Sequence, residues 1–178
     1  MPISAADIWE TIGTEAGAES RLWTSALRPP EEQERDPVFS RLAESRYALG
    51  IETIYEGYLL HYGRPRLFDA PDSDTTLLLG DYLYAHGLVR IAAVGRVEAV
   101  RDLAELISLC AQARGDGVDG DGAAWAATAA LLGTDGLATA RAALRDDRDP
   151  GPLERLARRA AGDEATSQAL ETHARRLR

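Results

Sequence analysis

Apolar residues recur every three or four positions along almost the whole chain, which is the spacing of one face of an α-helix. No segment of strand length alternates apolar and polar residues in the pattern of a half-buried strand. Ala and Leu dominate the apolar residues, and only 6% of the chain is aromatic, which favours helices over strands. The sequence therefore predicts an all-α fold, and 178 residues fit one domain of ordinary size.

Prolines, glycines and capping residues divide the chain into predicted helices. Ser4 is a good N-cap for the first helix, Pro29 and Pro30 follow its end, and Ser73 is a cap for the third. The acidic segment 31–36 has nothing apolar to bury and is predicted to be an exposed connection. The predicted helices are 4–27, 37–62, 73–94, 97–114, 125–132, 134–144, 152–160 and 163–178.

The predicted domain has three parts. Residues 1–114 form a helical core, 115–122 a hinge or disordered linker rich in Gly and Asp, and 123–178 short helices of the same domain. A calcium loop in the linker is the alternative, but its acidic residues do not fall in the EF-hand register. In the helix over 97–114, we expect Leu103 to face the core and Asp102 to face water.

Charge and cysteine content exclude several classes of protein. A net charge of −9 and a pI near 4.8 argue against nucleic-acid binding, which needs clustered Lys and Arg. The single cysteine, Cys110, is expected to be buried in a reducing compartment. We find no signal-peptide pattern and no apolar run long enough to cross a bilayer. The cytoplasm is the predicted location.

Two segments carry a more specific pattern. The first reads Glu52-x-x-Tyr55-x-x-x-Leu59-Leu60-His61, and the second, at 77–85, is a leucine run followed by Gly80-Asp81-Tyr82-Leu83-Tyr84-Ala85. In this order they resemble the trans-isoprenyl diphosphate synthases, the polyprenyl synthetase family, over about residues 45–112. Between them, Gly63-Arg64-Pro65 is similar to a loop of that family. The resemblance implies a truncated, isoprenoid-synthase-like helical bundle.

The departures from that family concern its chemistry. Catalytic members hold Mg²⁺ on the substrate diphosphate with two aspartate-rich motifs, and here Tyr62-Gly63 stands in place of the first. Asp146-Asp147-Arg148-Asp149 lacks the context of the second. The basic isopentenyl-binding stretch is absent as well, since the segment after Pro30 is acidic. The chain therefore resembles the small non-catalytic subunit of two-component, heptaprenyl- or hexaprenyl-type synthases, which act in isoprenoid and quinone side-chain synthesis.

The resemblance implies a catalytic prenyl diphosphate synthase subunit as partner and, at the joint tunnel, a prenyl chain. It implies no cofactor of the chain's own, because the partner would supply Mg²⁺, and no catalytic residue. Candidate tunnel or interface residues are Glu52, Tyr55, Gly57, Tyr58, His61, Tyr62, Gly80, Asp81 and Tyr82. Candidate diphosphate-binding residues are Arg64 and Arg66, whose guanidinium groups suit oxyanions.

Simpler interpretations stand beside these. The tyrosines suit core or interface packing, Gly57 suits close helix packing, and His61 suits a helix end. His86 and His173 have no partner at zinc-ligand spacing, so no metal site is predicted. One alternative function is a free-standing helical protein that binds an apolar ligand or another protein. Another is a divergent Mg²⁺-dependent prenyltransferase that uses Asp69, Asp72 and Asp74, residues that equally suit capping of the next helix.

Overall fold

The protein is described by a computed structural model that covers residues 5–94 and 97–177. All regular structure in these ranges is helical, apart from one isolated antiparallel bridge between Leu27 and Phe68. The all-α prediction is confirmed. The α-helices are α1 Ala5–Glu19, α2 Arg21–Ala26, α3 Ala48–Tyr62, α4 Ser73–Ala93, α5 Val97–Gly115, α6 Asp121–Ala130, α7 Ala138–Asp147, α8 Gly151–Ala161 and α9 Asp163–Arg176. Three short 3-10 helices span Pro30–Glu32, Ser40–Leu42 and Ser45–Tyr47.

The predicted first helix is wrong in its length, because it breaks at Ser20. This residue has extended backbone angles, φ −150° and ψ 139°, and its hydroxyl accepts a hydrogen bond from the Leu22 N–H. Ser20 thus ends α1 and caps α2, which is the usual role of serine at an N-cap. The predicted cap Ser4 lies outside the described residues. The segment 31–36 is exposed as predicted, apart from the half-buried Gln33.

The helix predicted over 37–62 is wrong in its first part. Residues 37–47 form two 3-10 turns, and α3 begins only at Ala48. The Glu52 carboxylate accepts hydrogen bonds from the backbone N–H groups of Val38 and Ser40, at 3.1 and 3.2 Å. A buried carboxylate reaching back from the next helix therefore holds this segment out of helical conformation.

Helix α3 is the centre of the molecule. Eleven consecutive residues, Gly50–Leu60, are buried, so the helix has no solvent-facing side over this span. One apolar cluster packs α3 against α5, α6, α8 and α9, and a second joins its end to α1, α2, α4 and Phe68. The apolar stripe expected from the sequence is thus a helix enclosed on all sides, with Glu52 and Glu56 buried among apolar groups.

Glycines bring α3 and α4 into close antiparallel contact. A Cβ atom added at Gly57 would lie 2.9 Å from the Gly80 carbonyl oxygen, and one at Gly50 would lie 2.5 Å from Ile91 Cδ1. A Cβ atom at Gly87 would collide with Ile54. Each helix therefore presents two glycines, seven positions apart, to the other. The geometry agrees with the close-packing interpretation of Gly57.

Helix α5 confirms the expected burial of Leu103 and Cys110, but the exposure expected for Asp102 is wrong. Asp102 is buried and pairs with Arg141 of α7 at 3.1 Å, and its other carboxylate oxygen accepts from the Gly133 N–H at 2.9 Å. Helical spacing alone cannot predict this position, because a buried ion pair satisfies a carboxylate as well as water does.

The connection between α5 and α6 is shorter than the predicted linker 115–122. Gly115 ends α5, and Asp121 and Gly122 already belong to α6, where both are buried. Helix α7 begins at Ala138, four residues later than expected, whereas α8 and α9 begin within one residue of their predicted starts. Over residues 5–94 and 97–177, no helix combines the length and the apolar character needed to cross a bilayer.

We expect Gly57→Ala to lower the free energy of unfolding by about 1–3 kcal/mol, because the added methyl group would meet backbone that cannot rotate away. Urea unfolding followed by circular dichroism measures this. Gly115→Ala is the control, since a Cβ atom there meets nothing within 4 Å. Equal stability of both variants would contradict the described contact between α3 and α4.

Candidate functional site

The candidate residues on α3 begin with a buried charge cluster. Arg66, in the loop after α3, donates from Nη1 to the Glu52 carboxylate at 2.5 Å and from Nε to the Glu56 carboxylate at 2.9 Å. All three side chains have zero exposure. The Arg66 guanidinium also lies 4.6 Å from the ring centre of Trp9, which brings α1 onto the cluster. Burial opposes the charge on Arg66, but the two carboxylates outweigh it and raise its pKa.

This enclosure bears on the expectation that Arg66 binds a diphosphate. The guanidinium also donates to two backbone carbonyl oxygens. Nη1 donates to that of Asp36 at 3.3 Å, and Nη2 donates to that of Glu52 at 3.1 Å. The backbone N–H groups of Arg66 and Leu67 donate to Glu56 at 2.8 and 2.7 Å. Each guanidinium nitrogen of Arg66 thus has a partner inside the protein, and the side chain has no exposed surface. The cluster joins the start of α3, the loop after it and the segment before it.

Tyr55 and Tyr58, one turn further along α3, enter a second polar network. The Tyr55 hydroxyl lies 2.9 Å from Nδ1 of His173 on α9. The Tyr58 hydroxyl donates to Asp121 at the start of α6 and accepts from Arg114 at the end of α5, the latter at 3.0 Å. Arg114 completes the group with an ion pair to Asp121 at 2.5 Å. Four helices therefore meet around two tyrosine hydroxyls.

Charge in this network is set by burial and pairing. Burial would raise the pKa of Asp121, but contact with His173, the Tyr58 hydroxyl and the charge of Arg114 together hold that pKa far below its ordinary value. Burial, reinforced by the Asp121 carboxylate, raises the pKa of Tyr58. Burial likewise raises the pKa of Tyr55. Both tyrosines stay protonated at neutral pH, so they act as hydrogen-bonding groups and not as bases.

His61 lies where α3 and α4 meet. Its ring stacks on Tyr84 with centroids 5.0 Å apart, and its Nε2 lies 3.2 Å from the exposed Asp81 carboxylate. Gly80 makes room for the imidazole, because a Cβ atom there would lie 2.6 Å from Nε2. The structure therefore brings together His61, Gly80 and Asp81 from the two segments that carry the family resemblance.

Tyr82 lies on a different side of α4. Its ring stacks on Trp23 of α2 with centroids 5.9 Å apart, and on His86 at 5.3 Å. His86 and Arg90 both reach Glu15 of α1, at 2.7 and 2.6 Å. Tyr82, His86 and Arg90 thus pack α1 and α2 against α4. Tyr82 lies apart from the tyrosines of α3.

The carboxyl end of α3 is covered by α9. A Cβ atom at Gly63 would lie 3.0 Å from the Arg176 carbonyl oxygen, and the Arg64 N–H donates to that oxygen at 2.9 Å. The Arg64 guanidinium donates to the Arg175 carbonyl oxygen at 3.0 Å. Arg64 thus caps the last turn of α9. Tyr62, half-buried, packs on Tyr58 with centroids 5.2 Å apart.

The acidic residues of the next loop have structural partners. The Asp72 side chain caps α4 by accepting from the Thr75 N–H at 2.8 Å, which agrees with the capping interpretation, although the predicted cap was Ser73. Asp69 lies 3.9 Å from Arg28. Within the described ranges, no group of three or more His, Cys, Asp or Glu side chains is arranged to hold a metal ion.

Sequence reasoning missed Arg114, Asp121 and His173, the partners of the α3 tyrosines. The sequence places Asp121 in the predicted linker 115–122, and the spacing of His173 from the other histidines predicts no role for it. A usable signal was present, since Asp121 opens an alanine-rich stretch that includes Trp125, which suits an acidic residue in the first turn of a buried helix.

Comparison with known proteins adds no relative to this picture. No family model, curated protein or solved structure matches the chain. What the structure defines is an all-α protein built around α3. The family resemblance of the two segments remains a prediction.

We expect Asp121→Asn to lower the free energy of unfolding at pH 7 by about 1–3 kcal/mol, because the buried carboxylate loses charge-assisted hydrogen bonds. A carboxyl whose pKa is depressed in the folded state stabilises above its unfolded pKa, and this contribution is lost as the pH falls. The difference from the parent should therefore shrink as the pH drops below 3.8, the ordinary pKa of an aspartate.

Urea unfolding at a series of pH values tests this expectation. Asp119→Asn is the matched control, because it removes the same charge from an exposed position in the same turn. A difference between parent and Asp121→Asn that stays constant from pH 7 to pH 2 would show that the carboxylate is not held in its charged form by the network.

Proposed function

We propose that the chain is a non-catalytic, isoprenoid-synthase-like subunit that supports or regulates a catalytic trans-polyprenyl diphosphate synthase. The observation that carries the proposal is the covered end of α3. Where the resemblance would require aspartates facing an open diphosphate site, the half-buried Tyr62 packs on Tyr58 and Gly63 lies under the last turn of α9. This end of the helix is occupied by the protein's own chain.

The packing of α3 and α4 supports the same proposal. The two segments that carry the resemblance lie side by side, joined by the glycine contacts and by His61 with Gly80. Tyr55 and Tyr58 are enclosed by Phe39, Trp125 and His173. The residues that would line a tunnel in the proposed family therefore serve as a rigid internal framework, consistent with a supporting role.

An apolar surface on α4 supports a protein partner. Leu78, Ala85, Val89 and Ala92 lie on one side of the helix and are all exposed, with Leu78 58% and Val89 64% exposed. We name these four residues the α4 outer face. Exposed apolar residues on one helix face favour association with another protein. In the proposal the catalytic synthase covers this face, and both proteins act in the cytoplasm.

The α4 outer face also suits the second candidate, a free-standing helical protein that binds some other protein or an apolar ligand. The divergent enzyme is less well supported, since Asp72, one of its three proposed metal ligands, caps α4. The candidates differ in what they require. The subunit needs a prenyl synthase, the binding protein does not, and the enzyme would turn over prenyl diphosphates alone with Mg²⁺.

We expect the purified chain to associate with a catalytic polyprenyl diphosphate synthase from the same organism and to change its rate or product length. Size-exclusion chromatography detects the complex, and chromatography of radiolabelled products measures chain length. The chain alone should form no product from farnesyl diphosphate with isopentenyl diphosphate and Mg²⁺. Absence of both association and any change in products would rule the proposal out.

We expect Val89→Asp to weaken that association at least about tenfold, because a carboxylate at the centre of an apolar contact must be desolvated. Ala104→Asp is the matched control, since it adds the same charge at an exposed position on α5. Titration of each variant into the synthase by isothermal calorimetry gives the affinities. Equal weakening by both variants would place the contact elsewhere than the α4 outer face.

A further inference from the structure

Arg176, in the last turn of α9, is a buried arginine that forms an ion pair with Glu34. Its side chain is 6% exposed, and Nη2 donates to a carboxylate oxygen of Glu34 at 2.7 Å. Glu34 lies on the acidic segment 31–36, and its own side chain is 58% exposed. The ion pair thus joins a guanidinium held inside the protein to a carboxylate that reaches it from the surface.

The remaining donors of Arg176 are unsatisfied. Neither Nε nor Nη1 has a hydrogen-bond partner among the described residues, and both atoms are buried. Buried donors without acceptors are unfavourable, and unsatisfied groups of this kind are uncommon in folded proteins. Glu34 occupies only one of the three guanidinium nitrogens, so Arg176 retains capacity for an acceptor with more oxygen atoms.

Two further arginines act on the same position. The hydrogen bond from Arg176 has the largest part in lowering the pKa of Glu34, and the charges of Arg64 and Arg28 lower it further. Arg64 is exposed. Its side chain donates a hydrogen bond from Nη2 to the Arg175 carbonyl oxygen. The charges of three arginines therefore act on the Glu34 carboxylate, which Arg176 contacts directly, in a protein whose net charge is −9.

We infer that the Glu34 carboxylate occupies a binding position for a phosphate-class oxyanion, formed by Arg176 and Arg64, and that such an anion displaces it. A phosphate group offers several acceptor oxygens in a geometry that matches the planar guanidinium fork. Glu34 can leave because its segment and 58% of its own side chain are exposed, and the anion takes over the pairing with Arg176.

The proposed site shares one arginine with the pair predicted from the sequence. Arg64 keeps its expected role, but Arg66 is enclosed by its own carboxylates, and the second arginine comes from the far end of the chain. The site does not depend on the proposed synthase partner. It can be tested on the isolated chain, so its failure and the failure of the subunit proposal are separate results.

The test compares inorganic pyrophosphate, inorganic phosphate and sulfate by isothermal titration calorimetry at constant ionic strength. We expect Glu34→Gln to bind pyrophosphate about fivefold more tightly than the parent, because the competing carboxylate is removed. Glu32→Gln is the matched control, since it removes the same charge from an exposed position on the same segment. It should bind like the parent. Sulfate weaker than pyrophosphate would indicate recognition of phosphate.

Two arginine variants complete the test. Arg64→Gln, at an exposed position, should remain folded by circular dichroism and lose most of the pyrophosphate affinity. Arg176→Gln should lose it entirely, and its circular dichroism spectrum establishes whether it folds. The inference is overturned if no form binds pyrophosphate, if Glu34→Gln and Glu32→Gln bind alike, or if Arg64→Gln binds like the parent.

Discussion

The buried pair of carboxylates on α3 determines how the rest of the chain is arranged. Glu52 and Glu56 stand one turn apart on a helix without a solvent-facing side, and both pair with the single guanidinium of Arg66. Breaking such a buried pair by removing one partner typically destabilises by about 3–5 kcal/mol, because the other charge stays buried without compensation. Around this cluster the two ends of α3, the 3-10 turns before it and Trp9 of α1 come together.

The same cluster shows where prediction from sequence succeeds. Local signals define α4 and α5, since a polar capping residue begins the first, although it is Asp72 and not the predicted Ser73, and regular apolar spacing runs through the second. They fail before α3, where apolar spacing continues through Phe39 and Leu42 although the backbone is not helical. The cause is the pair of hydrogen bonds that the Val38 and Ser40 N–H groups donate to Glu52, and helix propensity is a weak preference that such tertiary contacts override.

The candidate residues divide in a similar way. The repeated aromatic positions of α3 show in the sequence that Tyr55 and Tyr58 matter, but their partners lie 118 and 63 residues away. The local pattern suits Asp121 to the start of a buried helix, but it pairs neither Asp121 nor His173 with these tyrosines, because a buried polar group can be satisfied by any element that the fold brings near. Arg66 illustrates the same limit, since an arginine in the loop after α3 suggests a group that is open to a ligand, and this one is wholly internal.

The glycines between α3 and α4 have a consequence for the alignment of these two helices. Gly50 and Gly57 face Gly87 and Gly80 at matching intervals, so the pair can approach closely in only one register. Sliding one helix along the other by a turn would press side chains against backbone at both contacts. Four absent side chains thus select a single alignment among the several that apolar packing alone would tolerate, and this selection contributes to a unique native state.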